Sequence, residues 1–355
     1  MSGPAAQPDP SADLVLDPGV LERVPSLEFG GYRAVAMLGG TCVLRWRGLY
    51  REALSQGLAA VAQSDGAQRA RQAVVRISRG QAATAADLAA ACRALELPGL
   101  LAVVGANTLG IGSWVKRLQD CFGAPLRVQA RAKSRLAVFH VADPARYPEP
   151  EWSSEPWAVV PGTSLVAAPG VFSAGRLDAG TAVLLDHLRQ ECDGVGDPAL
   201  ADAGPYVPPP PPQRIADLGC GAGHLGLAAL HWHPQATAAF FDADFPAVAS
   251  VQANCRALGL EPRTSCHWWD AHEALPPRAY DLILANPPAH AGSQVDIGAA
   301  TALVQAALPA LLPGGRLLVV ANQRLPYERD WSRLASWRLA QQRDGYKILE
   351  TTAGG

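Results

Sequence analysis

Residues Asp281 to His290 read Asp-Leu-Ile-Leu-Ala-Asn-Pro-Pro-Ala-His, a strand-length apolar run that delivers an asparagine and then two prolines. Neither proline has an N–H, and the residue before each is pushed into an extended conformation, so a sheet ladder cannot run past Asn286. What remains is a rigid corner where the Asn286 side-chain oxygen and the Pro287 carbonyl can both point outward as acceptors. Two acceptors side by side suit an amino group. Polar groups at the carboxyl ends of strands are where open parallel α/β sheets hold ligands, so Asn286, Pro287 and Pro288 form the candidate catalytic corner.

A chain of 355 residues exceeds the usual size of one core, and two domains are expected. The hydrophobic share of 49% with 17% charged residues fits a soluble globular protein. No apolar run reaches the roughly 20 residues that span a bilayer, and the N-terminus has neither a basic flank nor an apolar core, so a cytoplasmic protein without membrane association is expected. Seven cysteines without a C-x-x-C pair argue against a disulfide framework and against structural zinc. The net charge of −2 hides an asymmetry: residues 1–160 carry 17 Lys+Arg against 14 Asp+Glu, and the acidic excess lies in the remainder. Positive charge is densest from Lys116 to Arg135, and Arg131, Lys133 and Arg135 alternate, so on a strand they would share one face.

From Tyr32 onward, strand and helix patterns alternate, which implies a parallel-rich α/β sheet in each half. In the first half, Gln72–Ser78 and Leu100–Ala106 read as strands, Thr84 as the cap of a helix over Ala85–Glu96, Ser113–Phe122 as a helix, and Arg127–Val141 as paired strands. This half has no glycine-rich nucleotide loop of standard spacing; Val104-Gly-Ala-Asn107 comes nearest. The expected organisation is a disordered tail over 1–17, a first domain over 18–155 and a second over 156–355. Within the second, the proline-rich stretch 204–212 reads as a stiff surface insertion.

Arg214 to Gly226 supplies the missing loop: an apolar strand, the turn Gly219-Cys-Gly-Ala-Gly223, then a helix to about Trp232. Glycines there let backbone approach a ligand and let a helix present free N–H groups. Gly221, Gly223 and Gly226 satisfy the dinucleotide fingerprint, while Gly219, Gly221 and Gly223 after an acid suit adenosylmethionine. Asp217 decides for the second, since a carboxylate before the turn repels a pyrophosphate and attracts a cationic amino acid moiety. Downstream, Asp242 ends the next strand where an acid bonds ribose hydroxyls, and Asp270 follows the third strand where it could accept an adenine amino group. Cys220 reads as a small buried filler, the Trp268–Trp269 pair as packing, and His224, His231, His233 and His267 as unconnected with metal binding.

The ordered set Asp217-Leu-Gly-Cys-Gly-Ala-Gly223, Asp242 and Asn286-Pro-Pro288 resembles class I S-adenosylmethionine-dependent methyltransferases of exocyclic amines. With Pro169-Gly-Val-Phe-Ser173, Leu177-Asp-Ala-Gly180, Val320-Ala-Asn-Gln-Arg-Leu-Pro-Tyr327 and Tyr346-Lys-Ile348, the chain from about residue 72 resembles the bacterial ribosomal RNA guanine-N2 methyltransferases, which have tandem methyltransferase-like halves. The resemblance implies two tandem Rossmann-like domains, the first degenerate and RNA-binding, the second catalytic. It implies S-adenosyl-L-methionine held by Asp217, Gly219, Cys220, Gly221 and Gly223, by Asp242 and Ala243 at the ribose, by Asp270 and Ala271 near the adenine, and by Asn286, with Phe172 closing the pocket.

Asn286 and Pro287 would accept the two guanine N2 protons, and Ala289 and His290 would lie against the base. Ala289 departs from the family, which places an aromatic ring there to stack on the flipped base; Phe172 or His290 would compensate. Arg131, Lys133 and Arg135 would bind the RNA. The expected partner is ribosomal RNA or a ribosomal subunit, the 16S RNA ahead of the 23S, with a monomeric protein and no metal. Two other readings use the same corner: methylation of a glutamine amide in a protein, and a non-catalytic adenosylmethionine-binding ribosome-assembly factor.

Overall fold

The computed structural model describes residues 14, 15, 17, 20–64, 67–195, 207–287 and 298–354, with backbone alone at 290, 291, 294, 295 and 297. The chain separates into two compact units, Met1–Glu151 and Trp152–Gly355.

The N-terminal unit runs β1 (Ser26–Phe29), α1 (Arg33–Leu38), β2 (Gly40–Val43), α2 (Arg47–Ser55), β3 (Ala59–Val61), β4 (Ala70–Arg76), α3 (Gln81–Ala94), β5 (Leu95–Ala106), α4 (Ile111–Phe122), β6 (Arg127–Arg131) and β7 (Ser134–Val141). Its sheet has the order β3-β2-β1-β4-β5-β7-β6. The first five strands are parallel and the last two antiparallel. Ala73–Val75 and Leu101–Val104 are fully buried, as central parallel strands covered on both faces must be.

The C-terminal unit opens with the hairpin β8 (Ser153–Pro156) and β9 (Ser164–Ala167), then runs α5 (Ala179–Cys192), β10 (Arg214–Leu218), α6 (His224–Trp232), β11 (Thr237–Asp242), α7 (Phe245–Ala257), β12 (Thr264–Trp268) and β13 (Tyr280–Ala285). Short β14 (His290–Ala291) and β15 (Gln294–Val295) precede α8 (Ile297–Ala307), β16 (Leu311–Asn322), α9 (Tyr327–Trp331), β17 (Arg338–Arg343) and β18 (Tyr346–Thr352). The order β12-β11-β10-β13-β16-β18-β17 repeats that of the N-terminal sheet strand for strand. Period-two alternation divides the apolar side chains between two cores. Ile215, Phe240, Leu282 and Leu284 pack with α5, α6 and α7, whereas Ala216, Phe241, Ile283 and Ala285 pack with α8 and α9. The repeat reaches the sequence: the 12-residue strands β5 and β16 hold the same place, and Leu97-Pro-Gly99 to Ala106-Asn107 parallels Leu312-Pro-Gly314 to Ala321-Asn322.

Several sequence expectations are corrected. Thr84 does not cap its helix: α3 starts at Gln81, and the Thr84 hydroxyl sits inside it, accepting from the Ser78 N–H at 3.0 Å. Arg131, Lys133 and Arg135 do not share a strand face. Ala132 and Lys133 form a tight turn with φ of 49° and 62°, which takes Lys133 out of the ladder, and Arg131 is ion-paired with Asp17 at 3.1 Å. The tail of 1–17 is too long. Leu14 and Val15 are buried among Ala34, Val74, Val104 and Val138, because an adjacent apolar pair gains more from the sheet face than from water; residues 1–13 lie outside the described residues. The second unit begins at Trp152 rather than at residue 156, since Ser153–Pro156 pairs with Ser164–Ala167. Of the proline-rich stretch, 207–212 is loop leading into β10, and 204–206 lies outside the described residues. Among the described residues no helix is long and apolar enough to cross a membrane.

Candidate active site

The site lies at the carboxyl edge of the C-terminal sheet, where β10, β11 and β13 end side by side. β10 enters a turn that needs glycine: Gly219, Gly221 and Gly223 have φ of 71°, 54° and 94°. Their roles differ. A Cβ on Gly219 would meet nothing within 4 Å, and one on Gly221 only the Phe172 carbonyl at 4.0 Å, so these positions keep the pocket side of the loop open. Gly223 instead faces away from the pocket, where a Cβ would strike Val251 at 2.6 Å. Gly226 lets α6 lie close to β11, since its Cβ would meet the Phe240 ring at 2.4 Å.

Two carboxylates tie this loop to the sheet. Asp217, 1% exposed, accepts from the Gly226 N–H at 2.9 Å and so anchors the first turn of α6. Asp242 accepts from Gly221 N–H and from Asp244 N–H, each at 2.9 Å. Burial pushes the Asp217 carboxyl up to about 7, opposed by the Gly226 hydrogen bond, and the Asp242 carboxyl up to about 6, opposed by its backbone donors. A cationic ligand beside them would favour their ionised forms. Asp270 is brought next to Asp242 through the Trp269 N–H, which donates to the Asp242 carbonyl at 2.9 Å. Its own carboxylate accepts from His272 N–H. The Ala243 carbonyl is engaged by the Trp268 indole at 3.0 Å, and Ala271 packs against the core that holds Trp269. Both tryptophans are thus packing residues, and Cys220 is a buried thiol whose titration burial pushes well up.

Asn286 follows the last residue of β13. Its Nδ2 donates to Asp178 Oδ2 at 2.8 Å and to Thr181 Oγ1 at 2.9 Å. A carboxylate cannot donate, so only the amide nitrogen can face Asp178, and Oδ1 is turned the other way, with no donor bonded to it among the described residues. Asp178 is also the N-cap of α5, accepting from Thr181 N–H at 2.9 Å. Phe172, 65% exposed, joins Asp178, Asp217, Gly219, Gly221 and Asn286 around one small, narrow pocket. Among the described residues no cluster could hold a metal ion. Pro288 and Ala289, and the side chain of His290, lie outside the described residues.

Residues 162–350 match the profile of the methyltransferase small domain family. The ribosomal RNA small subunit methyltransferase C of Pseudomonas entomophila is 33% identical over 259 residues, 72% of this chain and 71% of that protein. Its namesake in Chromohalobacter salexigens is 34% identical, over 68% and 66%. The chain belongs to the ribosomal RNA small subunit methyltransferase C family. Its fold is also that of a solved T. thermophilus 16S rRNA N2 G1207 methyltransferase, a complex with AdoMet and guanosine, with a TM-score of 0.79, 25% identity and coverage of 97% of this chain and 92% of that one.

In this methyltransferase sequence reasoning gave no role to several residues that build the site. Asp178 lies in the Leu177-Asp-Ala-Gly180 motif and Thr181 follows it, but neither was expected to hold Asn286. His224, at the first position of α6, also lines the pocket and bonds Glu155 of β8 at 2.7 Å; burial lowers its pKa while Glu155 opposes the shift. A histidine directly after the glycine turn was the one available signal.

Proposed function

We propose that this chain transfers the methyl group of S-adenosylmethionine to the exocyclic N2 amine of a guanine in 16S ribosomal RNA. The observation that carries the reading is the Asn286 amide locked by Asp178 and Thr181, which presents an oxygen acceptor beside the glycine loop. The T. thermophilus relative, bound to AdoMet and guanosine, supports the choice of cofactor and base.

The open faces of Gly219 and Gly221, the buried Asp217 and the half-buried Asp242 fit a cationic nucleoside. Asp217 and the loop would hold its amino acid end, Asp242 with Ala243 its ribose, and Asp270 with Ala271 its adenine. The cofactor, when bound, supplies an electrophilic methyl group. The work left to the protein is positioning. Asn286 Oδ1 and the Pro287 carbonyl would each accept one N2 proton; this draws the nitrogen lone pair out of the purine and aims it at the methyl group. Phe172, exposed at the rim, is the described aromatic side chain available to cover a flipped base in place of a ring at 289.

The test uses the full chain, labelled S-adenosylmethionine and 16S RNA or small subunits from cells lacking the protein, followed by digestion to nucleosides. Label in N2-methylguanosine is expected. Label in another nucleoside overturns the reading, and label in a protein glutamine favours amide methylation by the same corner.

A further inference from the structure

The glycine turn after β10 is open on its pocket side, and three of its five residues are glycines, which adopt a left-handed conformation without enforcing it. The matching turn of the N-terminal unit, after β1, is held from within. There Arg76 of β4 pairs through Nε with the buried Glu28 at 3.2 Å, and a Cβ on Gly31 would meet that nitrogen at 2.2 Å. An open turn has to be held from outside.

The hairpin β8–β9 does this. Among the described residues its strands pair only with each other, and an isolated two-stranded hairpin is marginal in water, so side chains must fasten it. Asn254 of α7, 1% exposed, grips Val166 of β9 at both backbone groups: Oδ1 accepts from its N–H at 2.8 Å and Nδ2 donates to its carbonyl at 2.9 Å. Nδ2 also donates to the Ala222 carbonyl, inside the glycine turn, at 2.9 Å. One N–H and two carbonyls admit only one orientation of the amide, and among side chains of this size asparagine alone offers an acceptor with two donors. From β8, Glu155 holds His224 at 2.7 Å. The residues on both sides of Gly223 are therefore tied to the hairpin.

The same amide reaches the base side of the pocket. β9 runs directly into Ala168–Phe172, where Ala168 and Val171 pack with Ala222 and Ala247. The Phe172 carbonyl stands 4.0 Å from the place of a Cβ on Gly221. We propose that Asn254 is a positioning residue that sets the cofactor turn and Phe172 in register, so that its loss weakens the hold on cofactor and on base alike and spares the chemistry at Asn286. The proposal rests on the RNA-methyltransferase reading above.

The experiment compares full-length wild type with Asn254→Ala, Asn254→Ser and Ser250→Ala by calorimetric titration with S-adenosylmethionine, by melting temperature and by steady-state methyl transfer to 16S RNA. Asn254→Ala should raise the Kd for S-adenosylmethionine about tenfold, the scale of one lost hydrogen bond. Its KM for RNA should also rise about tenfold, while kcat at saturation changes by less than about twofold, as expected when binding and not the transition state is affected. Asn254→Ser, whose hydroxyl and freed space admit water to the same groups, guards against a failure to fold and should shift both constants in the same direction. Ser250 is the control: its hydroxyl accepts from the Ala168 N–H at 2.9 Å but does not touch the turn, so Ser250→Ala should lower the melting temperature and leave the cofactor Kd in place. Phe172→Ala should raise the KM for RNA in wild type and add little to it in the Asn254→Ala background. A wild-type cofactor Kd in both Asn254 variants overturns the proposal, and so does an equal loss in Ser250→Ala, which would make Asn254 a fastener of the hairpin and nothing more. Additive KM effects overturn the link to Phe172. Wild-type protein that binds no S-adenosylmethionine, or binds it and methylates no RNA, sinks the function reading; wild-type binding with unchanged variants sinks this proposal alone.

Discussion

One carboxylate, Asp178, does two jobs through the same oxygen: it caps α5 and fixes the amide of Asn286. Its loss should therefore damage stability modestly and catalysis severely. Asp178→Ala should cost about 1 kcal/mol of stability for the missing cap. With the amide free to turn, kcat should fall about 100-fold, the scale set by one preorganised polar group at the transition state. Cofactor affinity should stay near wild type. Asp178→Asn keeps an oxygen for the Thr181 N–H and should recover part of the rate. Steady-state methyl transfer beside calorimetric cofactor titration separates these effects, and a wild-type kcat in the alanine variant would remove Asp178 from the mechanism.

A strand, a loop and a helix make one unit from β10 to α6, and its electrostatics set a pH window. Asp217 and Asp242 are raised in the folded protein to about 7 and about 6 from the ordinary 3.8. The folded state thus keeps protons that the unfolded chain releases. Stability from this source is complete below the unfolded value and is lost as pH rises through about 6 to 7. A permanently cationic cofactor reverses the preference by favouring both carboxylates. S-adenosylmethionine should therefore bind more tightly as pH rises through the same window and should release protons as it binds. Titration calorimetry in buffers of different ionisation enthalpy measures that release, and Asp217→Asn should reduce it. An affinity that does not change between about pH 5 and 8 would contradict the linkage.

Each of the two units has its own cores and its own complete seven-stranded sheet, so ligand binding to one should stabilise that one. Differential scanning calorimetry should show two transitions, of which S-adenosylmethionine raises one, by about 2.7 kcal/mol at a hundred times its dissociation constant. A shift in both would place cofactor in the N-terminal unit despite the Arg76–Glu28 pair.

The glycine turn and the proline corner were readable in the chain because their chemistry is local. Positive φ demands glycine, proline ends a ladder, and an acid or an asparagine at a strand end keeps that address whatever surrounds it. The alternation of strands and helices likewise announced two parallel sheets. Contacts across the chain were decided only by the tertiary structure. Asp178 reaches Asn286 over 108 positions, Glu155 reaches His224, and Arg76 closes the first glycine turn by lying across it from a neighbouring strand. The even spacing of Arg131, Lys133 and Arg135 gave no warning of the turn between them. Short-range sterics are written in neighbouring residues, whereas which polar groups share a partner depends on strand order, and that order exists only once the sheet has formed.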